Sequence, residues 1–298
     1  MTYTEIKEIN GRKYYYRVKS VKQKGRVKKE RVYLGINLNK KVLRKKEKQA
    51  DEKLNVFSSI LTKKGLQFLE NLKKKFSEEP KENYENRYES FCSLFTYDSA
   101  GIEGNTLTLL ETSHLLFEGI VPKQKSLREI NETINHKKAF DYMLGYKKDI
   151  NKEFILKLHE LIIINTLRED LASQIGKFRK VQVFVGRKIP PKASEVPKQI
   201  ASLLRWYSKN KKKIHPLVLA SHFHAEFEKI HPFVDGNGRV GRLLMNFILR
   251  KNNYPMINIP KSRKFRYYEV LQQAQYKGNL KPFTEFLISI LKQEKLRL

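Results

Sequence analysis

The stretch His231-Pro-Phe-Val-Asp-Gly-Asn-Gly-Arg-Val-Gly-Arg242 places an imidazole, a carboxylate, three glycines and two guanidinium groups within twelve residues. Apolar residues at helical spacing precede it over 220–230, and a second apolar helical stretch follows over 240–249. Glycines just before a helix leave backbone N–H groups pointing outward at the positive end of the helix dipole. We therefore expect an anion-binding loop that joins two buried helices.

The residue types in this loop predict that the anion is a phosphate group. Gly236 and Gly238 let the backbone approach phosphate oxygens, and Asn237 tolerates a left-handed conformation and donates amide hydrogen bonds. Arg239 and Arg242, at i and i+3, share one face of the first helical turn. They can therefore hold terminal phosphates and neutralise a leaving pyrophosphate.

Two further residues of the loop predict catalysis. Asp235 is a hard oxygen ligand of the kind that binds Mg²⁺ beside phosphates. His231 has an ordinary pKa suited to accepting a proton from an attacking hydroxyl near neutral pH. Each residue alone has a common structural explanation, but their combination favours an active site. A zinc site at His222 and His224 is disfavoured, because their i, i+2 spacing places them on different helix faces.

Composition limits the class of protein. The chain has 298 residues, of which 40% are hydrophobic and 11% aromatic, which is typical of a folded protein. It has no apolar run long enough to span a bilayer, and its first residues lack the apolar core of a signal peptide. The single cysteine, Cys92, precludes an internal disulfide and suits a reducing compartment. We expect a cytoplasmic protein without a membrane anchor.

Positive charge is concentrated at the N-terminus. The net charge is +30, and residues 1–55 hold 18 Lys and Arg against 6 Asp and Glu. Residues 10–36 predict a small sheet, with a turn at 23–26, and residues 38–55 predict a charged connecting helix. Tyrosines between lysines could stack nucleic-acid bases. Alternatively, they pack against the following domain while the lysines remain solvated.

Residues 56–298 form a second predicted domain, which is mainly α-helical. The exception is 181–189, where alternating apolar residues, a Gly turn and two prolines predict a β-hairpin. Within this domain a predicted helix near 84–105 ends with Glu103 in its last turn. An acidic side chain is disfavoured at the negative end of the helix dipole, so Glu103 should have a cationic partner elsewhere.

The stretch 231–242 resembles the core motif of Fic-domain proteins, His-Pro-Phe-x-Asp/Glu-Gly-Asn-Gly-Arg-x-x-Arg, and matches it at every defined position. The similarity extends over about residues 90–290. It includes the segment after Gly176-Lys-Phe-Arg179, which resembles the family's flap hairpin. The resemblance implies a Fic-type helical bundle with a short β-hairpin flap, preceded here by the small basic sheet.

The resemblance also implies a protein adenylyltransferase, in which a Tyr, Ser or Thr hydroxyl of a target protein, or of the chain itself, attacks the α-phosphate of ATP. His231 would be the base, Asp235 the Mg²⁺ ligand, Gly236–Gly238 the phosphate cradle and Arg242 the γ-phosphate contact. The flap at 181–189 would bind the target in extended form. A homodimer is a further implication of the resemblance.

Two other segments resemble functional parts of the family. Arg266-Tyr-Tyr-Glu-Val-Leu271 is similar to the nucleotide-base pocket, which implies base contacts from Tyr267, Tyr268 and Gln275. Gln275 stands where relatives often carry Asn, so the base contact is less defined. The segment Ser99-x-x-x-Glu103-Gly104 resembles the inhibitory motif of the class with an N-terminal inhibitory helix. There the glutamate pairs with the second motif arginine, here Arg242, which implies low basal activity.

Two alternatives remain at this level. The same site could transfer another phosphate-containing group, or remove AMP with a water positioned by Glu103. Alternatively, the protein is a nucleic-acid-binding regulator that acts through residues 1–55.

Overall fold

The computed structural model describes residues 2–23, 26–55, 57, 60–78, 80–186 and 189–294. The chain forms two compact units, Met1–Thr62 and Lys63–Leu298. This division lies seven residues later than the division at 55/56 expected from the sequence. Within the described ranges, every helix is too short or too polar to cross a membrane.

The N-terminal unit is an antiparallel sheet with one helix. Its strands β1 (Thr2–Ile9), β2 (Arg12–Gln23) and β3 (Arg26–Ile36) lie in the order β1-β2-β3, and α1 (Lys40–Asn55) follows. The sequence interpretation covered β2 and β3 but missed β1. The sequence signal for this strand is Asn10-Gly11, which forms the turn between β1 and β2. The φ angles of 52° and 70° at these two residues suit a two-residue hairpin turn.

Helix α1, expected as a charged connector, packs on this sheet. Arg17 forms an ion pair with Asp51 at 2.7 Å and lies 3.6 Å from Glu47. The Lys46 ammonium donates a hydrogen bond to the Leu34 carbonyl at 2.7 Å. Acidic side chains of the helix thus neutralise part of the positive charge of the sheet.

The second unit consists of ten helices and short connecting turns over its described residues. Its helices are α2 (Lys63–Ser77), α3 (Tyr84–Ile102), α4 (Leu109–Ser113), α5 (Leu127–Gly145), α6 (Lys152–Ile163), α7 (Val196–Asn210), α8 (Pro216–Ile230), α9 (Asn237–Lys251), α10 (Lys264–Lys277) and α11 (Lys281–Glu294). Helix α9 is the most buried, because its residues from Val240 to Leu249 have less than a tenth of their surface exposed. The mainly α fold preceded by a small basic sheet is confirmed.

Side-chain caps begin α4, α5 and α6. Thr108 and Glu111 form a capping box before α4, and Ser126 with Glu129 forms another before α5. Asn151 accepts a hydrogen bond from the Phe154 N–H and caps α6. These contacts satisfy backbone donors that the first turn leaves without an acceptor.

The segment predicted as a β-hairpin flap is a loop. Over 181–186 and 189–192 the structure has one isolated bridge residue, Val185, and no paired strands, while residues 187 and 188 lie outside the described ranges. Pro190 and Pro191 lack the N–H groups that a strand ladder requires. Val181 and Val185 are 44% and 41% exposed, and Phe184 and Ile189 are 71% and 70% exposed, so these four apolar side chains are not covered by a core.

Arg179 joins the two ends of this flap loop. Its guanidinium donates hydrogen bonds to the Val181 carbonyl at 3.0 Å and to the Pro191 carbonyl at 2.5 Å. The same side chain donates to the His231 carbonyl at 2.8 Å. The flap loop is therefore tied to the first residue of the glycine-rich motif.

Candidate active site

The loop between α8 and α9 is closed by its own polar groups. His231 ends α8 in a left-handed conformation with φ of 51°, and Gly236 precedes α9 with φ of 78°. The buried Asn237 amide accepts a hydrogen bond from the Phe233 N–H and donates one to the Phe233 carbonyl, both at 2.9 Å. Residues 233–237 thus form a ring that ends at the N-terminus of α9, where helical N–H groups favour an anion.

Phe233 anchors this ring in the core. Its side chain is fully buried and stacks on the His159 ring, with centroids 3.8 Å apart and planes 1° apart. Burial lowers the pKa of His159 to about 4, so the ring is neutral, and its Nδ1 accepts a hydrogen bond from the Gly176 N–H at 3.1 Å. His159 therefore positions the loop, a role that the sequence interpretation did not assign.

The environment of His231 suits a general base. Burial and the charge of Arg179 lower its pKa, against the opposing effects of the Glu228 carbonyl, Glu103 and Asp235. The imidazole is therefore neutral at neutral pH. Its Nδ1 faces the Glu228 carbonyl at 3.4 Å, which favours the tautomer whose Nε2 is unprotonated.

Asp235 lies at the mouth of the site. Its carboxylate accepts hydrogen bonds from Arg239 at 3.3 Å and from Arg128 at 3.4 Å, and its side chain is partly exposed. Within the described ranges no group of three or more His, Cys, Asp or Glu side chains could hold a metal ion by itself. One accessible carboxylate beside an anion site does fit Mg²⁺, which binds through one or two carboxylates together with substrate phosphates.

Two buried arginines line the same site. Arg239 approaches Glu132, on α5, at 3.7 Å and Asp235 at 3.3 Å. Three buried guanidinium nitrogens, Nε and Nη1 of Arg239 and Nη1 of Arg242, make no hydrogen bond to a described residue, although Nη1 of Arg239 is the atom that lies 3.7 Å from Glu132. Buried donors without an acceptor are rare and mark the place of a missing partner. An anion oxygen that reached these nitrogens would be such a partner.

Arg242 is held by the end of α3. Its Nε donates to the Ser99 hydroxyl at 3.0 Å, and its Nη2 donates to the Ser99 carbonyl at 2.8 Å and to Glu103 Oε1 at 2.7 Å. The arginine side chain is 1% exposed and the glutamate 34% exposed. Burial opposes the charged form, but the charge of Glu103 outweighs it and raises the pKa of Arg242. The helix-end glutamate thus has the cationic partner expected for it.

The end of α3 is itself fixed to the chain after α9. The Asp98 carboxylate accepts hydrogen bonds from the Asn258 amide at 2.5 Å and from the Lys261 N–H at 2.8 Å. Gly101 provides the space for this contact, because a Cβ atom there would lie 2.7 Å from Cδ of Lys261. Ser99 and Glu103 are therefore presented to Arg242 by a well-anchored helix end.

The residues expected in the base pocket differ in accessibility. Tyr267 is buried and its hydroxyl lies 2.7 Å from Nε2 of His224, so its polar group is already satisfied. Tyr268 is partly exposed, its ring centroid is 5.2 Å from that of Tyr267, and burial raises its pKa to about 12. Gln275 lies about two turns further along α10 and is buried. Tyr268 is thus the more accessible of the two tyrosines.

Sequence reasoning missed five residues around the site, because four of them approach from distant parts of the chain. These are Arg128, Glu132, His159, Arg179 and Glu228. Only Glu228, one turn before His231 on α8, could have been found from helical spacing. Its Oε1 is buried without a hydrogen bond to a described residue, and burial, helped by the charge of Glu103, raises its pKa to about 8.

The fold and the loop define a helical protein with a candidate anion site built from a helix N-terminus and two buried arginines. The family model described as Fic/DOC family matches residues 149–249. A solved Fic family protein from Desulfovibrio desulfuricans G20 is 30% identical, with a TM-score of 0.61 over 76% of this chain and 71% of that chain. The chain belongs to the Fic family.

Other relatives agree with this assignment. Fic-1 from C. elegans is 26% identical, with a TM-score of 0.71 over 88% of this chain and 77% of that chain. The curated protein adenylyltransferase Fic of Drosophila melanogaster is 37% identical over 195 residues, which are 64% of this chain and 39% of that protein. The chain thus spans little more than a third of the length of the curated relatives that it matches.

Proposed function

We propose that this chain is a self-inhibited protein adenylyltransferase that transfers AMP from ATP to a Tyr, Ser or Thr hydroxyl of a target protein and of itself. The name of the curated Drosophila relatives supports the activity. The observation that carries the proposal is the contact of Arg242 with Ser99 and Glu103 across the anion site.

In the proposed reaction, the hydroxyl oxygen forms a bond to the α-phosphorus and the bond to the β-phosphate oxygen breaks. The hydroxyl proton passes to Nε2 of His231, and pyrophosphate leaves. Arg239 and Arg242 stabilise the charge that develops on the leaving group. Asp235 would hold Mg²⁺, which neutralises phosphate charge when bound. The Gly236–Gly238 backbone would cradle the phosphates at the start of α9.

The inhibition follows from the same geometry. Glu103 Oε1 accepts a hydrogen bond from Nη2 of Arg242, so this donor is already used. The carboxylate also brings a negative charge to the place proposed for the γ-phosphate. A Cβ atom on Gly238 would lie 2.2 Å from this oxygen, so the glutamate also covers the proposed phosphate cradle. ATP would have to displace the carboxylate to align its phosphates for transfer.

The proposal is tested with α-labelled and γ-labelled ATP, incubated separately with wild type, Glu103→Gly and Glu103→Gly/His231→Ala. We expect the α-label, but not the γ-label, to enter protein, strongly with Glu103→Gly and weakly with wild type. The double variant should incorporate none. Equal labelling of wild type and Glu103→Gly would refute self-inhibition. Loss of label from modified protein on adding wild type would identify the reverse reaction.

A second function is supported by the N-terminal unit. The Lys7 ammonium lies 6.0 Å from the Tyr16 ring centroid and that of Lys29 lies 5.8 Å from the Tyr3 ring, while Tyr33 is exposed. Aromatic rings beside cations suit stacking of unpaired bases. We propose that this sheet binds single-stranded nucleic acid. Anisotropy of a labelled oligonucleotide should show salt-dependent binding to the full chain that Tyr33→Ala weakens; unchanged binding would contradict the proposal.

A further inference from the structure

A groove of about 460 Å³ lies between α7 and α8, outside the anion site. Its α8 wall is formed by His222, Glu226 and Ile230, which recur every fourth residue and share one helix face. Trp206 of α7 faces them, with its ring centroid 4.1 Å from that of His222. The wall therefore combines a flat aromatic surface with a carboxylate.

The position of this groove connects it with the proposed catalytic base and with the flap loop. Ile230 at one end immediately precedes His231, and Glu195, also in the lining, follows the flap loop by a few residues. Arg179 joins the flap loop to His231 through hydrogen bonds to the Pro191 and His231 carbonyls. One end of the groove therefore lies next in the chain to the proposed catalytic base, and its α7 end lies next to the flap loop.

The groove lining has two carboxylates, Glu195 and Glu226, and one ammonium group, that of Lys198. Glu226 has Lys229 as an ion-pair partner at 3.9 Å, a distance too long for a hydrogen bond. Burial raises the pKa of Glu226, and the charge of Lys229 opposes this. Burial lowers the pKa of His222 to about 4, so the imidazole adds no positive charge near neutral pH. The exposed Glu195 adds a second negative charge to the lining, and Lys198 adds one positive charge.

We propose that this groove binds an arginine or lysine side chain of the target segment, and so selects targets with a basic residue near the modified hydroxyl. The aliphatic stem would lie against Trp206 and the cationic group would reach Glu226. This inference rests on the proposed function, since it assigns the substrate class of the same site.

Helix geometry gives the expected spacing between the basic residue and the modified hydroxyl in the target. Glu226 precedes His231 by five residues, which corresponds to about 7–8 Å along the helix axis at a rise of about 1.5 Å per residue. An extended target advances about 3.3 Å per residue. The basic residue is therefore expected about two to four positions from the hydroxyl that His231 activates.

The experiment uses the only tryptophan in the chain, Trp206, as a reporter of the groove. The full-length protein without ATP is titrated with an acetylated hexapeptide that has one serine and an arginine three positions before it. We expect a saturable change in tryptophan fluorescence with this peptide. The same peptide with glutamine in place of arginine should bind at least about 3-fold more weakly, as expected for loss of a partly exposed charge pair.

Glu226→Gln should weaken binding of the arginine peptide by about 3- to 10-fold. Glu285→Gln is the matched control, because Glu285 on α11 also pairs with a lysine, Lys281, at 3.9 Å. It should leave binding unchanged. Anisotropy of a labelled peptide provides a second measurement, and circular dichroism verifies that the variants are folded.

Equal binding of the arginine and glutamine peptides, or wild-type affinity in folded Glu226→Gln, would overturn the inference. Because no ATP is present and no group is transferred, this result is separate from the outcome of the labelling experiment. Absence of AMP transfer would refute the proposed function without altering the peptide affinities.

Discussion

Replacing Glu103 by glutamine should preserve the shape of the contact with Arg242 and remove its charge. Glu103→Gly should remove the contact altogether, while both hydrogen bonds from Arg242 to Ser99 remain. The two variants therefore separate the electrostatic part of the proposed inhibition from its steric part. Wild type, Glu103→Gln and Glu103→Gly should show increasing activity in that order.

The hydrogen bond between Glu103 and Arg242 sets the expected size of these changes in activity. A hydrogen bond between charged groups contributes about 1.5–3 kcal/mol, and a neutral one about 0.5–1.5 kcal/mol. The Glu103 side chain is 34% exposed, so solvent screening reduces the difference to about 1 kcal/mol. The fraction of molecules in which residue 103 does not contact Arg242, and with it the activity, should then rise about 5-fold in Glu103→Gln. Glu103→Gly loses the whole contact, which contributes about 2–3 kcal/mol, so the activity should rise about 30- to 150-fold.

The assay is the initial rate of α-label incorporation at an ATP concentration below saturation, together with ATP affinity from calorimetry. Ser99→Ala is the control, because it removes one hydroxyl contact and keeps the glutamate; we expect a change of less than about 3-fold. Equal rates for wild type and Glu103→Gln would refute an electrostatic contribution. Equal rates for Glu103→Gln and Glu103→Gly would refute a steric one.

Three further predictions concern the loop and its support, and a fourth variant, Gly145→Ala, serves as a control. Asn237→Ala should lower the free energy of unfolding by about 2–3 kcal/mol and abolish labelling, because two buried backbone groups lose their partner; chemical denaturation measures the first effect. The rate of AMP transfer by Glu103→Gly should fall with decreasing pH only below the ordinary histidine pKa of 6.5, because burial lowers the pKa of His231 and the proposed base must be neutral. A pH–rate profile that already falls above pH 6.5 would contradict the assignment of His231 as the base. Gly241→Ala should destabilise by about 1–3 kcal/mol, since the new Cβ would lie 2.7 Å from the buried Oε1 of Glu228. Gly145→Ala, in a helix with open space around it, should raise the melting temperature instead.

Local patterns in the sequence determined much of the fold. Apolar residues at helical spacing predicted the helices around the motif, and the capping boxes at Thr108 and Ser126 follow from residues three positions apart. The N-terminal sheet followed from β-branched and aromatic residues, but β1 was missed although Asn10-Gly11 marked its turn. These features depend on neighbours in the chain, which is why they could be predicted.

The flap loop shows where local pattern is insufficient. Residues 181–185 alternate as a strand would, yet their side chains are largely exposed and the returning segment contains Pro190 and Pro191. A strand forms only when a partner supplies its hydrogen bonds and a core covers one face. Neither condition can be assessed from the sequence of the segment alone.

The sequence by itself determined which candidate catalytic groups the loop brings together, because His231, Asp235 and the glycines of the motif are close in the chain and their spacing specifies a turn and a helix start. Only the tertiary structure decided which groups surround that loop. Glu103 reaches Arg242 across 139 positions, and Arg128 reaches Asp235 across 107. Contacts of this length depend on how helices pack, and packing determines which buried charges are paired and which N–H groups remain available to an anion.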